Sequence, residues 1–347
     1  MVDNSRKRKV RGSQVRSSHE EKKQQRTQQQ EDKEIERLEK THDGRRQEPP
    51  TDTDGNFIPE QQPFIETEAV KQVQTRMERW LDVGRPVHVI GPTGSGKTSV
   101  AMHVARERDR PVVWINGDAE LTTSDLVGEY AEEERISERD QYIHNVFKSK
   151  DIIRDRWVDN PLTLAVKEGA TLVYNEFSRT KPVANNVLLS VFEEGVLELP
   201  GKRGDSRHVD VHPEFQAILT SNSVEYAGVH EPQDALLDRL IGIYMNFYDR
   251  ETEIEIVQAH VEALGSTEIE QIVRIMRELR ETLDITVGTR AEIMAAEGAT
   301  TADTLDTATI ADICTDVLAS KVGQRSDVHE LRDGIDATLD RMGASLS

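Results

Sequence analysis

The stretch Pro86-Val87-His88-Val89-Ile90-Gly91-Pro92-Thr93-Gly94-Ser95-Gly96-Lys97-Thr98 decides the fold. Its first five residues read as a short buried strand. A glycine-rich turn follows, and Lys97 opens a helical stretch that runs to Arg108. Gly91 to Thr98 fits G-x-x-x-x-G-K-[ST], and it stands in the strand–turn–helix setting that this spacing requires. Each residue type has a physical task. The glycines let the backbone turn tightly, so that its N–H groups converge on phosphate oxygens. The helix start adds the positive end of its dipole. Lys97 brings a point charge to the β- and γ-phosphates, and the Thr98 hydroxyl takes one position on Mg²⁺. Gly91, Pro92, Thr93, Gly94, Ser95, Gly96, Lys97 and Thr98 are therefore read as a loop that binds ATP with Mg²⁺.

Working outward, further short strands are read at Pro111–Ile115, Thr171–Tyr174, Phe215–Thr220 and Ile241–Met245. Helical stretches separate most of them, which predicts a five-stranded parallel sheet with helices on both faces. Beyond residue 250 the strand signals fade. Ile254, Ile256, Val257 and Val261, then Ile272, Ile275, Met276 and Leu279, follow helical spacing. The third strand runs into Asn175-Glu176. An Asp-Glu ending would hold the water shell of magnesium with the Asp and polarise the attacking water with the Glu. Asn175 accepts a hydrogen bond from a metal-bound water but brings no negative charge, so magnesium affinity is expected to suffer. Glu176 is the expected base.

Composition bounds the rest. The 347 residues suffice for two domains of ordinary size. A single cysteine, Cys314, leaves no internal disulfide and no Cys-based zinc site, and suits a reducing, cytoplasmic setting. No apolar run reaches the roughly 18 residues that a membrane span needs. Residues 1–62 are charged, Gln-rich and then Pro-rich, which predicts a disordered extension and linker. Residues 51–347 carry 30 Lys and Arg against 54 Asp and Glu, with Arg outnumbering Lys 22 to 8. A surface of that sign repels itself at low salt and is screened at molar salt, the pattern of a halophilic protein. Nucleic acid is not an expected partner, because phosphates need a basic stripe.

The order of motifs resembles AAA+ ATPases, and in detail their MoxR-like branch. Asp125-Leu126-Val127-Gly128, Asn160-Pro161-Leu162, Glu168-Gly169-Ala170-Thr171-Leu172, Asn175-Glu176-Phe177-Ser178-Arg179 and Phe192-Glu193-Glu194-Gly195 follow one another as that branch's segments do. Ala235-Leu236-Leu237-Asp238-Arg239 resembles the segment with the arginine finger, and Gly288-Thr289-Arg290-Ala291 resembles its sensor 2. The resemblance covers roughly 64–325. Within the branch the chain is similar to the gas vesicle protein N family of haloarchaea, whose Asn-Glu, acidic body and polar N-terminal extension it shares.

That resemblance implies a P-loop AAA+ fold. Its parts are an extension at 1–62, an α/β nucleotide-binding domain at 63–248 and a helical lid at 249–347. It implies catalytic roles for Glu176, Asn222, Arg239 and Arg290. Asn222 would orient the attacking water or read the γ-phosphate. Arg239 would act in trans on a neighbouring subunit, which requires an oligomer, and Arg290 would reach the γ-phosphate from the lid. Thr98 and Asn175 would hold Mg²⁺, the latter through water. The implied activity is ATP hydrolysis that assembles gas vesicles, with other gas vesicle proteins as clients and the chain associated with the vesicles. A nucleotide-dependent scaffold with little turnover and a general MoxR-type chaperone of a partner enzyme are the alternatives. Gly201 to Arg207, with three basic residues, is read as a hairpin tip that contacts substrate or simply meets solvent. His208, Asp210 and His212 alternate, but three ligands on an exposed hairpin make a poor metal site. Phe64, Ile65 and Glu66 are read as core and linker, or as a lining for adenine.

Overall fold

The computed structural model describes residues 63–139, 149–202, 204–222, 230, 232–283, 285–322 and 325–343. The expected extension at 1–62 and the basic Arg203 of the hairpin tip lie outside them.

Helix α1 (Glu68–Leu81) starts where Thr67 caps it, its hydroxyl accepting from the Val70 N–H at 3.3 Å. Val70, Gln74, Met77 and Leu81 fall on one face and are buried. Strand β1 (Val87–Gly91) follows, then the loop, then helix α2 (Lys97–Glu107). Next come β2 (Val112–Asn116), the short α3 (Thr123–Val127), and an antiparallel pair, β3 (Gly128–Arg139) and β4 (Ser149–Asp159). Helix α4 (Pro161–Glu168) begins with proline at its first turn and ends on Gly169 at φ +64°, as a helix stop should. Strand β5 (Thr171–Asn175), helices α5 (Pro182–Asn185) and α6 (Val187–Glu193), and the hairpin β6 (Val196–Glu198) and β7 (His208–Asp210) lead to β8 (Gln216–Asn222). Helix α7 (Asp234–Leu237) and β9 (Ile241–Tyr244) complete the α/β part.

Five strands form one parallel sheet in the order β2-β5-β8-β1-β9. This is the predicted sheet, with strand ends within two residues of the sequence reading. β5 and β8 are buried along nearly their whole length, as strands covered on both faces must be. One apolar cluster joins Met77, Leu81, Val89, Val100 and Val104 to β1, β5, β8 and β9; a second joins Leu126, Leu162, Val166, Leu172, Leu188 and Leu219. β1 lies between β8 and β9, while the next strand in sequence lies beyond β5. The loop after β1 therefore opens at the carboxyl edge where the strand order reverses, the place where open α/β sheets take ligands.

A third cluster belongs to the helices α8 (Arg250–His260), α9 (Ser266–Thr282), α10 (Thr289–Ala299), α11 (Thr307–Ala319) and α12 (Arg325–Met342). Ile269, Ile272, Val273, Met276 and Leu279 of α9 supply its centre. Two fully buried carboxylates, Glu253 and Glu292, sit beside it, bridged by Arg280 at 2.9 and 2.8 Å. Arg277 also pairs with Glu253. Burial, and then the nearby Glu253 charge, push Glu292 up to about 8.

One element was not anticipated. The sequence between the second and third strands shows no alternation of apolar and polar residues, yet β3 and β4 form a long antiparallel pair there, irregular between Ala131 and Glu134. Its base is pinned from the side: the Trp157 ring meets Tyr130 edge-on at 5.2 Å and lies 5.1 Å from Lys202 Nζ on the β6–β7 hairpin.

Candidate active site

The phosphate loop takes its shape from its glycines. Gly94 and Gly96 have φ of +83° and +84°, which side-chain-bearing residues adopt at a cost. Gly91 has a different reason: a Cβ there would lie 2.0 Å from the Met245 carbonyl oxygen, on the strand side. Inside the turn the Ser95 hydroxyl donates to the Pro92 carbonyl at 3.0 Å, and Lys97 Nζ donates to the same oxygen at 2.7 Å. Lys97 is buried, and the desolvation of its charge pulls its pKa down to about 8. Glu176 opposes that fall and Arg290 adds to it, so both side chains act on the loop electrostatically.

The carboxyl edge of the sheet brings the remaining candidates into one row. Strands β2, β5 and β8 each end on asparagine. Asn116 is in register with Asn175, and Asn222 with Gly91. Asn175 is the hub. Its Oδ1 accepts from the Thr98 hydroxyl at 2.7 Å and from the Thr220 hydroxyl at 2.9 Å, while its Nδ2 donates to Asn116 Oδ1 at 2.8 Å. Glu176 follows with φ +50°, the one side-chain-bearing residue at positive φ among those described. Its N–H donates to Thr220 Oγ1 at 3.0 Å, and its carboxylate accepts from Arg179 at 3.0 Å. Gly117 makes this bend possible: its N–H donates to the Asn175 carbonyl at 2.7 Å, and a Cβ on it would lie 2.2 Å from the Glu176 carbonyl oxygen.

The lid reaches the same loop. The Thr289 N–H donates to the Gly94 carbonyl at 3.1 Å, and a Cβ on Gly288 would come within 2.9 Å of Gly94 Cα. Arg290 is exposed in the first turn of α10, beside this contact. Tyr248 lies against Gly96 and is buried enough that its hydroxyl pKa rises. Arg239 stands apart. Its guanidinium is held by Glu193 at the end of α6, through Nε at 3.0 Å, and by the Ala235 carbonyl. Its partner is Glu193 rather than the adjacent Asp238.

The structure thus gathers Lys97, Thr98, Asn175 and Glu176 around the loop, aligns Asn222 beside Gly91 and leaves Arg239 bound to its own chain. These groups fit a triphosphate with magnesium. The loop is a cradle of positive-φ glycines, and Thr98 with Asn175 offers hard, neutral oxygens of the kind that meet Mg²⁺ directly or through water. Asn116 escaped the sequence reading, since a lone polar residue at a strand end carries no signal until the register sets it beside Asn175. At the hairpin, His212 Nδ1 accepts from the Glu214 N–H at 3.1 Å, and among the described residues it belongs to no metal-binding group.

A family model described as an AAA domain of the dynein-related subfamily matches residues 86–240. The chain is 77% identical to gas vesicle ATPase GvpN1 of Halobacterium salinarum and 73% identical to gas vesicle ATPase GvpN of Haloferax mediterranei, each over 100% of both chains. It is 41% identical over 271 residues to gas vesicle ATPase GvpN of Ancylobacter aquaticus, covering 76% of each chain. Likeness at this level along the whole chain, on an AAA+ sheet with its phosphate loop in place, shows that the chain belongs to the gas vesicle ATPase GvpN family.

Proposed function

We propose that this protein hydrolyses ATP with Mg²⁺ and uses the cycle to assemble or remodel gas vesicles, with other gas vesicle proteins as its clients. The observation that carries this reading is the 2.7 Å bond between Thr98 and Asn175. It joins the phosphate loop to the strand end that carries Glu176, so phosphate and base meet at one point. Lys97 would neutralise the β- and γ-phosphates, and the loop N–H groups would hold their oxygens. The metal, when bound, supplies charge neutralisation across the same phosphates. Glu176 would take the proton of the attacking water on its carboxylate, once that carboxylate turns from Arg179. Asn222 would orient the water. Arg239, released from Glu193, would serve a neighbouring subunit, an effect worth about 10³–10⁵ in rate in other P-loop systems. Arg290 would read the γ-phosphate from the lid. The working division is then 63–248 for nucleotide binding and 249–347 for the lid, acting in an oligomer. Among the described residues no helix is long and apolar enough to cross a membrane. We place the protein in the cytoplasm with the vesicles.

A second reading has its own observation. The first acidic position of the strand is a neutral amide whose oxygen is already shared by two hydroxyls. Weak metal binding would give slow turnover and a nucleotide-dependent scaffold. ATPase assays at molar KCl separate the two readings. Hydrolysis by the wild type, abolished by both Lys97→Ala and Glu176→Gln, is the expected result. Wild-type turnover no higher than that of the variants, with ATP still bound, would leave the scaffold.

A further inference from the structure

Outside the nucleotide site, three side chains converge on one point at the other end of the loop helix. His103 and Glu107 stand four residues apart on α2, and so on one face of it. Glu66, just before α1, comes to the same place. His103 Nε2 lies 3.3 Å from Glu66 Oε1 and 3.4 Å from Glu107 Oε1, and the three ligand atoms all fall within 4.8 Å of one another. Phe64 stacks on the imidazole, with ring centroids 3.9 Å apart and planes 16° from parallel, which fixes where the ring points.

One feature separates this cluster from an ordinary ion pair. The Nε2 atom is buried, yet neither carboxylate meets it in hydrogen-bonding geometry. The spacing, which an ion pair shares, also admits a tetrahedral ion. Ligands about 2.0–2.1 Å from a tetrahedral ion sit about 3.3–3.4 Å from each other, since the edge of a tetrahedron is about 1.63 times its centre-to-corner distance. The two Nε2–oxygen separations fall in that interval. Both carboxylates are about half exposed, at 46% and 50%, so an ion and its waters can enter.

We propose that Glu66, His103 and Glu107 form a divalent-metal site of the zinc class, with water completing the shell. One imidazole nitrogen and two carboxylate oxygens suit Zn²⁺ and its neighbours, and the absence of thiolate disfavours copper(I). Because Glu66 precedes α1 and the other two ligands ride on α2, an ion here ties the start of the α/β part to the helix that opens at Lys97. The site is independent of the ATPase reading, because none of its ligands belongs to the loop.

The test is calorimetric titration of the full chain with Zn²⁺ alone, without nucleotide, at molar KCl. Co²⁺ serves as a spectroscopic probe, its ligand-field bands reporting nitrogen and oxygen donors. One equivalent of tight binding is expected. His103→Ala and Glu107→Gln should each weaken it by about tenfold or more, and Lys97→Ala should leave it unchanged. The milder His103→Asn and Glu66→Gln keep size and polarity and guard against a folding artefact. Zinc should also raise the thermal midpoint of the wild type but not of His103→Asn. Equal zinc binding by the wild type and all ligand variants, or none by the wild type, would overturn the site. So would a loss of midpoint in Glu107→Gln that zinc does not affect, which would leave an ion pair.

Discussion

Asn175 uses both ends of its amide, accepting from Thr98 and Thr220 and donating to Asn116. An Asp in its place keeps both accepted bonds, and the Asn116 amide, turned over, donates to the new oxygen. Asn175→Asp should therefore fold normally and add a negative charge where Mg²⁺ is expected. Magnesium affinity in the nucleotide complex should rise by about tenfold, since a local charge dominates such a site. Titration of Mg²⁺ into the ADP complex measures it, and an unchanged constant would mean that the amide is not what limits the metal. Lys97 gives a second test. Its free-state pKa of about 8 lies below its ordinary 10.5 because burial disfavours the cation. Phosphate favours the cation, so nucleotide binding above about pH 8 should take up a proton, and affinity should fall as pH rises through that value. Calorimetry in buffers of different ionisation enthalpy reads the uptake directly, and a pH-independent affinity would count against the assignment. Lys97 and Thr98 were legible in the sequence because the motif constrains their spacing. The left-handed turn at Glu176 was not: nothing in Asn-Glu-Phe announces it, and it depends on the missing side chain of Gly117, just past the end of β2.

At the scale of elements, legibility followed periodicity. The five core strands are short apolar runs, and α9 repeats its apolar residues at helical spacing, so both could be read before any contact was known. The β3–β4 pair could not, because its charged run lacks the alternation of a half-buried strand. Nor could the buried network of the lid. Glu253 and Glu292 carry no signal that sets them apart from other carboxylates until α8, α9 and α10 close around Arg280. That network has a measurable sign. Glu292 ionises near its ordinary 4.5 when unfolded but near 8 when folded, so the folded state holds a proton that the unfolded chain releases between those values. Its contribution to stability is greatest below about pH 4.5 and is lost as pH rises to about 8. Glu292→Gln removes the titration. Thermal midpoints measured across this range should show the variant gaining on the wild type by a few degrees as pH rises, and parallel curves would contradict the burial argument.

For the whole molecule, charge sets the conditions. With 54 acidic residues against 30 basic ones in 51–347, the excess acidic charges repel one another across a surface where the Debye length is about 10 Å at 0.1 M salt and about 3 Å at 1 M. The thermal midpoint should climb steadily between those concentrations of KCl, and a flat response by scanning fluorimetry would show that the acidic excess is locally paired. The order of the sheet, by contrast, was out of reach of composition and periodicity alike, since neither says that β1 sits between β8 and β9. One feature at the seam of the molecule bears on how its coupling can be found at all. The lid meets the phosphate loop backbone to backbone at Gly288 and Gly94, with a main-chain bond from Thr289. Truncating side chains one by one would leave this main-chain contact in place. It is probed directly by adding a methyl group at Gly288 or by replacing the Thr289 amide with an ester that cannot donate.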